Sequence, residues 1–286
     1  EYVIISQPTK FDLGDARVVA LDLDEVARSG GDAANRQTAV MYMLARYVLA
    51  RHYYLTEENV ADMPDSYRSY HHKRILEIRE DPKRIVYDEF HRTANAQAVR
   101  DQVIVDMREG RKWRVQIALI SQSLDDFSKN MIDFATSIFI MDAGPEQSIR
   151  RTQEVFGLSP TAVSALRSYV RGPSAKGANF LAQFATKDQM TTHLLTVTIG
   201  PVELWALNTT ADDVQVRNQL YKRVGAKVAR SLLAQHFPSG SAVKAIETLL
   251  SEYKSDGGYI DDEVRSSMSQ KIVDDIVDSY RSAQAK

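Results

Sequence analysis

Apolar and polar positions along the middle of the chain alternate between two periods. Residues 84–90, 115–121 and 137–141 are short, almost wholly apolar runs, and each reads as a strand. Between them, 93–109 reads as a helix with Thr93 as its N-cap and Gly110 as its stop, and 124–135 reads as a second helix. Strands separated by helices of about 10–15 residues predict a mostly parallel sheet built from right-handed crossovers. Strands so uniformly apolar predict cover on both sheet faces. Upstream, 17–26 reads as a strand with acids at its exit, and Ser29-Gly30-Gly31-Asp32 as turn and N-cap chemistry. Val40, Met41, Leu44, Tyr47 and Val48 then recur at helical spacing as far as His52. Residues 53–82 are polar, aromatic and charged, and read as a connecting excursion with a helix near 67–79.

Downstream, 146–156 and 159–169 read as helices. Residues 178–185, 194–199 and 203–207 read as strands, with Gly200-Pro201 as the turn between the last two. From 211 onward the pattern is helical. Leu220, Val224, Val228 and Leu232 share one face. Val243, Ile246, Leu250 and Tyr253 share another after the break at Pro238-Ser239-Gly240. Past Asp256-Gly257-Gly258, Val273, Ile276, Val277 and Tyr280 form a last stripe, expected to be buried. The organisation expected is an α/β core over 1–210, with 53–82 as its excursion, and an α-helical region over 211–286.

Composition narrows the classes. The chain has 286 residues, enough for one large α/β domain or two small ones. A formal net charge of -2 gives no bulk electrostatic case for tight nucleic-acid binding, so no direct nucleic-acid partner is expected. The absence of cysteine excludes disulfides and thiolate metal sites. No apolar run approaches the ~20 residues of a membrane-spanning helix. The first residue is Glu1, within sequence that already reads as structured, so the gene product is expected to continue upstream.

Candidate chemistry centres on Ile85-Val86-Tyr87-Asp88-Glu89. A carboxylate at the C-terminal end of a buried parallel strand lies where open α/β sheets bind ligands. Phosphoryl transfer to water needs charge neutralisation and an oriented nucleophile. Asp88 is placed to hold a Mg²⁺-bound water, and Glu89 to polarise the attacking water, as a Walker B pair. A strand ending in two solvated acids is the competing reading. The next strand ends in Ser121-Gln122-Ser123, where Gln122 can sense a γ-phosphate or simply cap the following helix with Ser123. Glu109-Gly110-Arg111-Lys112-Trp113-Arg114 falls at an expected helix-to-strand turn. Arg111 there is either a solvated cation or, in a ring, an arginine finger on a neighbour's nucleotide. Arg150 and Arg151 are second candidates. No G-x-x-x-x-G-K-[ST] occurs. Gly172-Pro173-Ser174-Ala175-Lys176-Gly177-Ala178 has the glycine spacing but Ala178 where the lysine belongs, and reads as a hairpin or loop. Asp22, Asp24 and Glu25 read as a solvated strand end, Trp113 and Trp205 as core or interface anchors. His71-His72 lacks the context of a zinc site.

The order strand-Asp88-Glu89, helix, Arg108-Glu109-Gly110-Arg111-Lys112, strand-Ser121-Gln122-Ser123, then Glu203-Leu204-Trp205-Ala206-Leu207 and a helical tail resembles the C-terminal ATPase region of type IV secretion traffic ATPases. Tyr87-Asp88-Glu89-Phe90-His91-Arg92 is its most specific piece. The resemblance implies a RecA-like P-loop NTPase core, a mostly parallel sheet flanked by helices, incomplete on its N-terminal side. It implies ATP and Mg²⁺ as cofactors and a homo-oligomer, a hexamer, on the cytoplasmic face of the bacterial inner membrane. Its partners there are other secretion-system ATPases and inner-membrane complex components, and the work done is export of effector proteins or DNA. By motif, Asp88 and Glu89 are the Walker B pair, Gln122 the sensor and Arg111 the trans-acting arginine. The absent Walker A lysine departs from the family pattern, and the chain alone is expected to be inactive. Two other readings stay open. Asp88-Glu89-Phe90-His91 also spells a DExH helicase box, and the missing P-loop also suits a non-catalytic assembly module.

Overall fold

A computed structural model describes residues 16–26, 30–61, 63–174, 177–255 and 257–284. Ser29, Ala175, Lys176 and Asp256, which figure in the motifs above, lie outside the described residues. The chain is a mixed α/β protein with a small parallel sheet. It forms two compact units that meet in sequence between Thr136 and Ser137. The boundary expected at 210 falls within the second unit.

In the first unit, β1 (Lys83–Tyr87) and β2 (Val115–Leu119) pair in parallel, Ile85 opposite Ile117. The crossover between them is α3 (Gln97–Trp113). This helix begins later than Thr93 and runs through Gly110. Thr93 sits in a 3-10 turn (Phe90–Thr93), and its hydroxyl donates to the Phe90 carbonyl at 2.8 Å, so it caps nothing downstream. Gly110 serves close packing, not termination: a Cβ there would meet the Val115 carbonyl oxygen at 2.5 Å. The stop is Arg114, in left-handed geometry at φ 52.

Four further expectations are corrected. Residues 17–26 form turns and irregular backbone: Asp24 N–H bonds the Asp22 carboxylate at 2.9 Å and Val26 N–H the Leu23 carbonyl at 3.1 Å. Local acceptors thus take the donors a ladder would need. The helix read at 124–135 is a 3-10 turn (Leu124–Asp126) and a short α4 (Lys129–Asp133), because Ser123 and Ser128 each cap a separate start. Among the described residues, cover on both sheet faces is not seen either. Val86 and Ile120 are each 52% exposed, while Tyr87 and Val115 are buried on the other face. Lastly, α1 (Gly31–Ala50) forms as expected but turns its Thr38–Tyr42 face inward, leaving Val40, Leu44 and Tyr47 exposed. The inward face carries Arg46, whose bidentate ion pair with buried Asp106 on α3 anchors the helix. A count of apolar positions cannot see that anchor. The excursion holds 3-10 turns and α2 (Asp65–Glu80), close to the helix expected there.

In the second unit the strands are antiparallel, against the mostly parallel sheet expected. β3 (Ser137–Ile140) pairs with β5 (Gly177–Ala185), which also pairs with β4 (Pro173–Ser174) and β6 (Met190–Val197). β4 pairs with the start of β5, Pro173 opposite Ala178, within the stretch read as a hairpin or loop. Packed with β5 are α5 (Glu146–Phe156) and α6 (Pro160–Tyr169), whose N-cap Ser159 accepts from Ala162 N–H at 3.2 Å. The strand expected at 203–207 is α7 (Pro201–Leu207). Pro201 presets the first turn, and the Glu203 carboxylate accepts from Gly200 N–H at 3.3 Å, which is helix-start chemistry.

The helical region follows as α8 (Ala211–Val224), α9 (Ala226–His236), α10 (Val243–Ser255) and α11 (Asp262–Gln284). Gly225, at φ 78, separates α8 from α9. Val273, Ile276 and Val277 are buried, as the last stripe predicts, in a core with Trp205, Leu220, Leu233 and Ile246. Buried Asp213 accepts from Asn208 Nδ2 and Ala242 N–H, both at 2.8 Å, fastening the start of α10. Arg265 on α11 grips Asp212 at 2.6 Å and lowers that carboxyl below its ordinary value, the hydrogen bond being the main cause. A carboxylate depressed on folding stabilises above its unfolded value and loses that contribution as pH falls through the folded one. Asp212→Asn is therefore expected to narrow the stability gap between neutral pH and about pH 3. Denaturant titrations of both proteins at the two pH values measure this, and an unchanged gap refutes it.

Candidate functional site

The site forms because the β1–β2 ladder continues beyond both strands. Ile120 N–H donates to the Tyr87 carbonyl at 2.9 Å, and Phe90 N–H to the Ile120 carbonyl at 2.8 Å. These bonds set Asp88-Glu89 beside Ser121-Gln122 at the C-terminal edge of the parallel pair, where such sheets place ligands. Beneath lies a core of Tyr42, Tyr87, Phe90, Val99 and Val103. Phe90 and Phe127 stack with centroids 6.1 Å apart.

Glu89 is left-handed, at φ 49 and ψ 47, a region non-glycine residues seldom occupy. The turn reverses the chain directly after the strand and presents the carboxylate toward Gln122. Gln122 Nε2 donates to its two oxygens at 3.0 and 3.2 Å. His91 Nδ1 lies 3.1 Å from Oε2. Asp88 is exposed, and its Oδ1 accepts from Glu89 N–H at 3.0 Å. Ser121 Oγ accepts from His91 N–H at 3.2 Å and donates to Asp126 at 2.5 Å, so the two loops are laced together. Ser123 performs the capping expected of this loop, accepting from Asp125 N–H at 3.2 Å.

The irregular segment contributes Asp24, which pairs with Arg92. Arg92 is raised above its ordinary value, chiefly by that hydrogen bond. Burial raises the Tyr42 hydroxyl, with Arg92 opposing and Asp88 adding to the shift. Tyr42 thus lies under the acidic edge as a neutral phenol.

Arg111 is not brought to this edge. It is exposed, in the last turn of α3, before the N-terminal end of β2. The five residues of β2 put about 17 Å between the two ends of that strand. Arg150 is exposed and lies 3.7 Å from Glu146, one turn away on α5. Trp113 and Trp205 are both buried. His72 pairs with Glu57 at 3.3 Å beside an open cleft between α2 and residues 57–61, whose lining shares nothing with the acidic edge. Sequence reasoning singles out Glu89 and Gln122 but assigns no role to His91, Ser121 or Asp126. The DExH spelling flags His91; nothing local flags Asp126, whose role depends on the fold of the second loop. No family model matches the chain, and no curated protein matches it.

Proposed function

We propose that this chain is part of an ATP-hydrolysing motor that energises export through a bacterial type IV secretion system, of the kind represented by DotO (IcmB) of Dot/Icm systems and TraU of related conjugative plasmids. One observation carries the reading. Glu89 and Gln122, named separately from two strand ends, meet at 3.0 Å at the C-terminal edge of the parallel pair. A solvated strand end needs no such pairing, and the pair puts a candidate water-orienting acid next to an amide able to bond the same water or a γ-phosphate. In this reading the core is RecA-like, Glu89 orients the attacking water, and Gln122 reports the γ-phosphate. Asp88 is an exposed hard-oxygen donor, which suits Mg²⁺ held through water. When bound, Mg²⁺ supplies charge neutralisation at the phosphates.

The phosphate cradle comes from another segment, since the sequence contains no Walker A lysine. Arg111, remote from its own chain's acidic edge, acts across an interface in a hexamer on the cytoplasmic face of the inner membrane. Other secretion ATPases and inner-membrane components are its partners. No helix among the described residues is long and apolar enough to cross a membrane, so attachment there is peripheral in this reading.

The test is Glu89→Gln in the full-length gene product. Hydrolysis of Mg·ATP is expected to fall about 10²-fold or more, the scale of a lost general base, while nucleotide binding persists. Unchanged turnover would remove Glu89 from its role and the reading with it.

A further inference from the structure

The Glu89 carboxylate accepts from the Gln122 side chain, and a second nitrogen, His91 Nδ1, lies 3.1 Å from it; the two are held differently. Gln122 reaches it from the opposite strand through an amide whose residue is exposed. His91 belongs to the same turn as Glu89, two residues on. Its backbone is fastened: His91 N–H donates to Ser121 Oγ at 3.2 Å, and Ser121 is itself tied to Asp126 at 2.5 Å. The left-handed backbone of Glu89 brings its side chain back over this turn, so that Oε2 lies 3.1 Å from His91 Nδ1.

We infer that His91 is the positioning residue of Glu89. Its Nδ1–H fixes the carboxylate at the strand end, which leaves the Gln122 amide as the movable partner. The inference rests on the reading of Glu89 as the water-orienting acid. That acid must keep one rotamer while the sensor glutamine transfers its hydrogen bond to the nucleotide or the attacking water. A glutamate held only by Gln122 would lose its orientation at that moment. A second donor from its own turn prevents this. His91 itself touches no reacting atom.

The proposed Nδ1–H bond makes a chemical demand that can be read without turnover. A free neutral imidazole favours the Nε2–H tautomer, whereas donation from Nδ1 requires the other one. The chain has six histidines, and selective ¹⁵N-histidine labelling with a His91→Asn reference assigns the signal of interest. At about pH 8.5, two units above the ordinary imidazole value, long-range ¹⁵N–¹H spectra distinguish the tautomers. The wild-type chain is expected to hold His91 as Nδ1–H, and Glu89→Ala to return it to Nε2–H. An Nε2–H imidazole in the wild type, or a tautomer indifferent to Glu89→Ala, overturns the inference.

The second arm uses the full-length protein and Mg·ATP. His91→Ala is expected to lower kcat about 5- to 10-fold with KM unchanged, as for an interaction that matters only on the way to the transition state. His91→Asn, whose amide sits at the same distance from the backbone as Nδ1, is expected to recover most of that loss. A raised KM at constant kcat, or no rescue by asparagine, overturns the positioning role. Should the wild type neither bind nor hydrolyse Mg·ATP, the functional reading fails, while the tautomer result still decides whether His91 clamps Glu89.

Discussion

Asp106→Ala is expected to destabilise the first unit by about 3 kcal/mol, the lower end of what removing one partner of a buried ion pair costs. Asp106 is 2% exposed, and its carboxylate takes Arg46 in bidentate fashion and Gln102 Nε2 at 3.0 Å. Removing it leaves the Arg46 guanidinium, 19% exposed, without its counter-charge. That residual exposure holds the loss at the lower end of the range. The surroundings cannot substitute for the missing acid. Tyr54 and Tyr87 are both raised by burial first, Tyr54 to about 12, with Asp106 adding to each, so both remain neutral phenols. The Tyr87 hydroxyl is buried with no hydrogen-bond partner. A double change to two apolar side chains of similar volume is expected to recover most of the loss, because it removes the stranded charge as well. The chain has two tryptophans, and each unit contains one: Trp113 lies in the first and Trp205 in the second. Urea titration of a Trp205→Phe background therefore follows the first unit alone. A loss below about 1 kcal/mol in Asp106→Ala would place this pair among surface ion pairs and refute the argument.

The second large effect belongs to Trp205. It is fully buried at the centre of the helical core, with Val216, Leu220, Leu233 and Ile246 in the same cluster, and its indole N–H donates to the Phe237 carbonyl at 3.0 Å. Trp205→Ala is expected to destabilise the second unit by about 3–5 kcal/mol, through lost burial, the cavity left behind and an orphaned carbonyl. Trp205→Phe retains most of the burial and is expected to cost less than half as much. Far-UV ellipticity against urea reports the helices of both units, and the part of its change that does not follow Trp113 fluorescence measures the second unit, which holds α5–α11. Trp113 fluorescence in the same samples should stay at its wild-type midpoint. A Trp113 midpoint that falls in step would show that the two units unfold together.

Much of the candidate site is legible in the order of residues alone. Asp88-Glu89 and Gln122 stand at the ends of short apolar runs that do become adjacent parallel strands. The stripe Val273, Ile276, Val277 is legible because a helix that buries one face repeats its apolar residues at a fixed period. The failures have local physical causes. Residues 203–207 end in a short apolar run like a strand's, yet Pro201 and Glu203 commit the backbone to a helical turn. Residues 17–26 are apolar enough for a strand, but Asp22 captures the Asp24 amide, a choice that hydropathy does not record. The inward face of α1 escapes the pattern because Arg46 counts as polar there and acts as an anchor in the fold. Pairing direction is out of reach for another reason. β3 follows a helix as parallel strands do, but its partner β5 lies about 40 residues on. Nothing within either segment states which edge it will join.

Glu89's backbone also sets two design pressures against each other. A glutamate held left-handed costs about 1–2 kcal/mol relative to an ordinary backbone conformation, and glycine or asparagine would relieve most of it. Selection for heat resistance alone would therefore push this position toward the small residues and erase the carboxylate. Selection for the chemistry proposed for Glu89 would keep the glutamate and accept a weaker turn. That one dihedral makes position 89 a place where a laboratory lineage bred for robustness and one bred for turnover must part company.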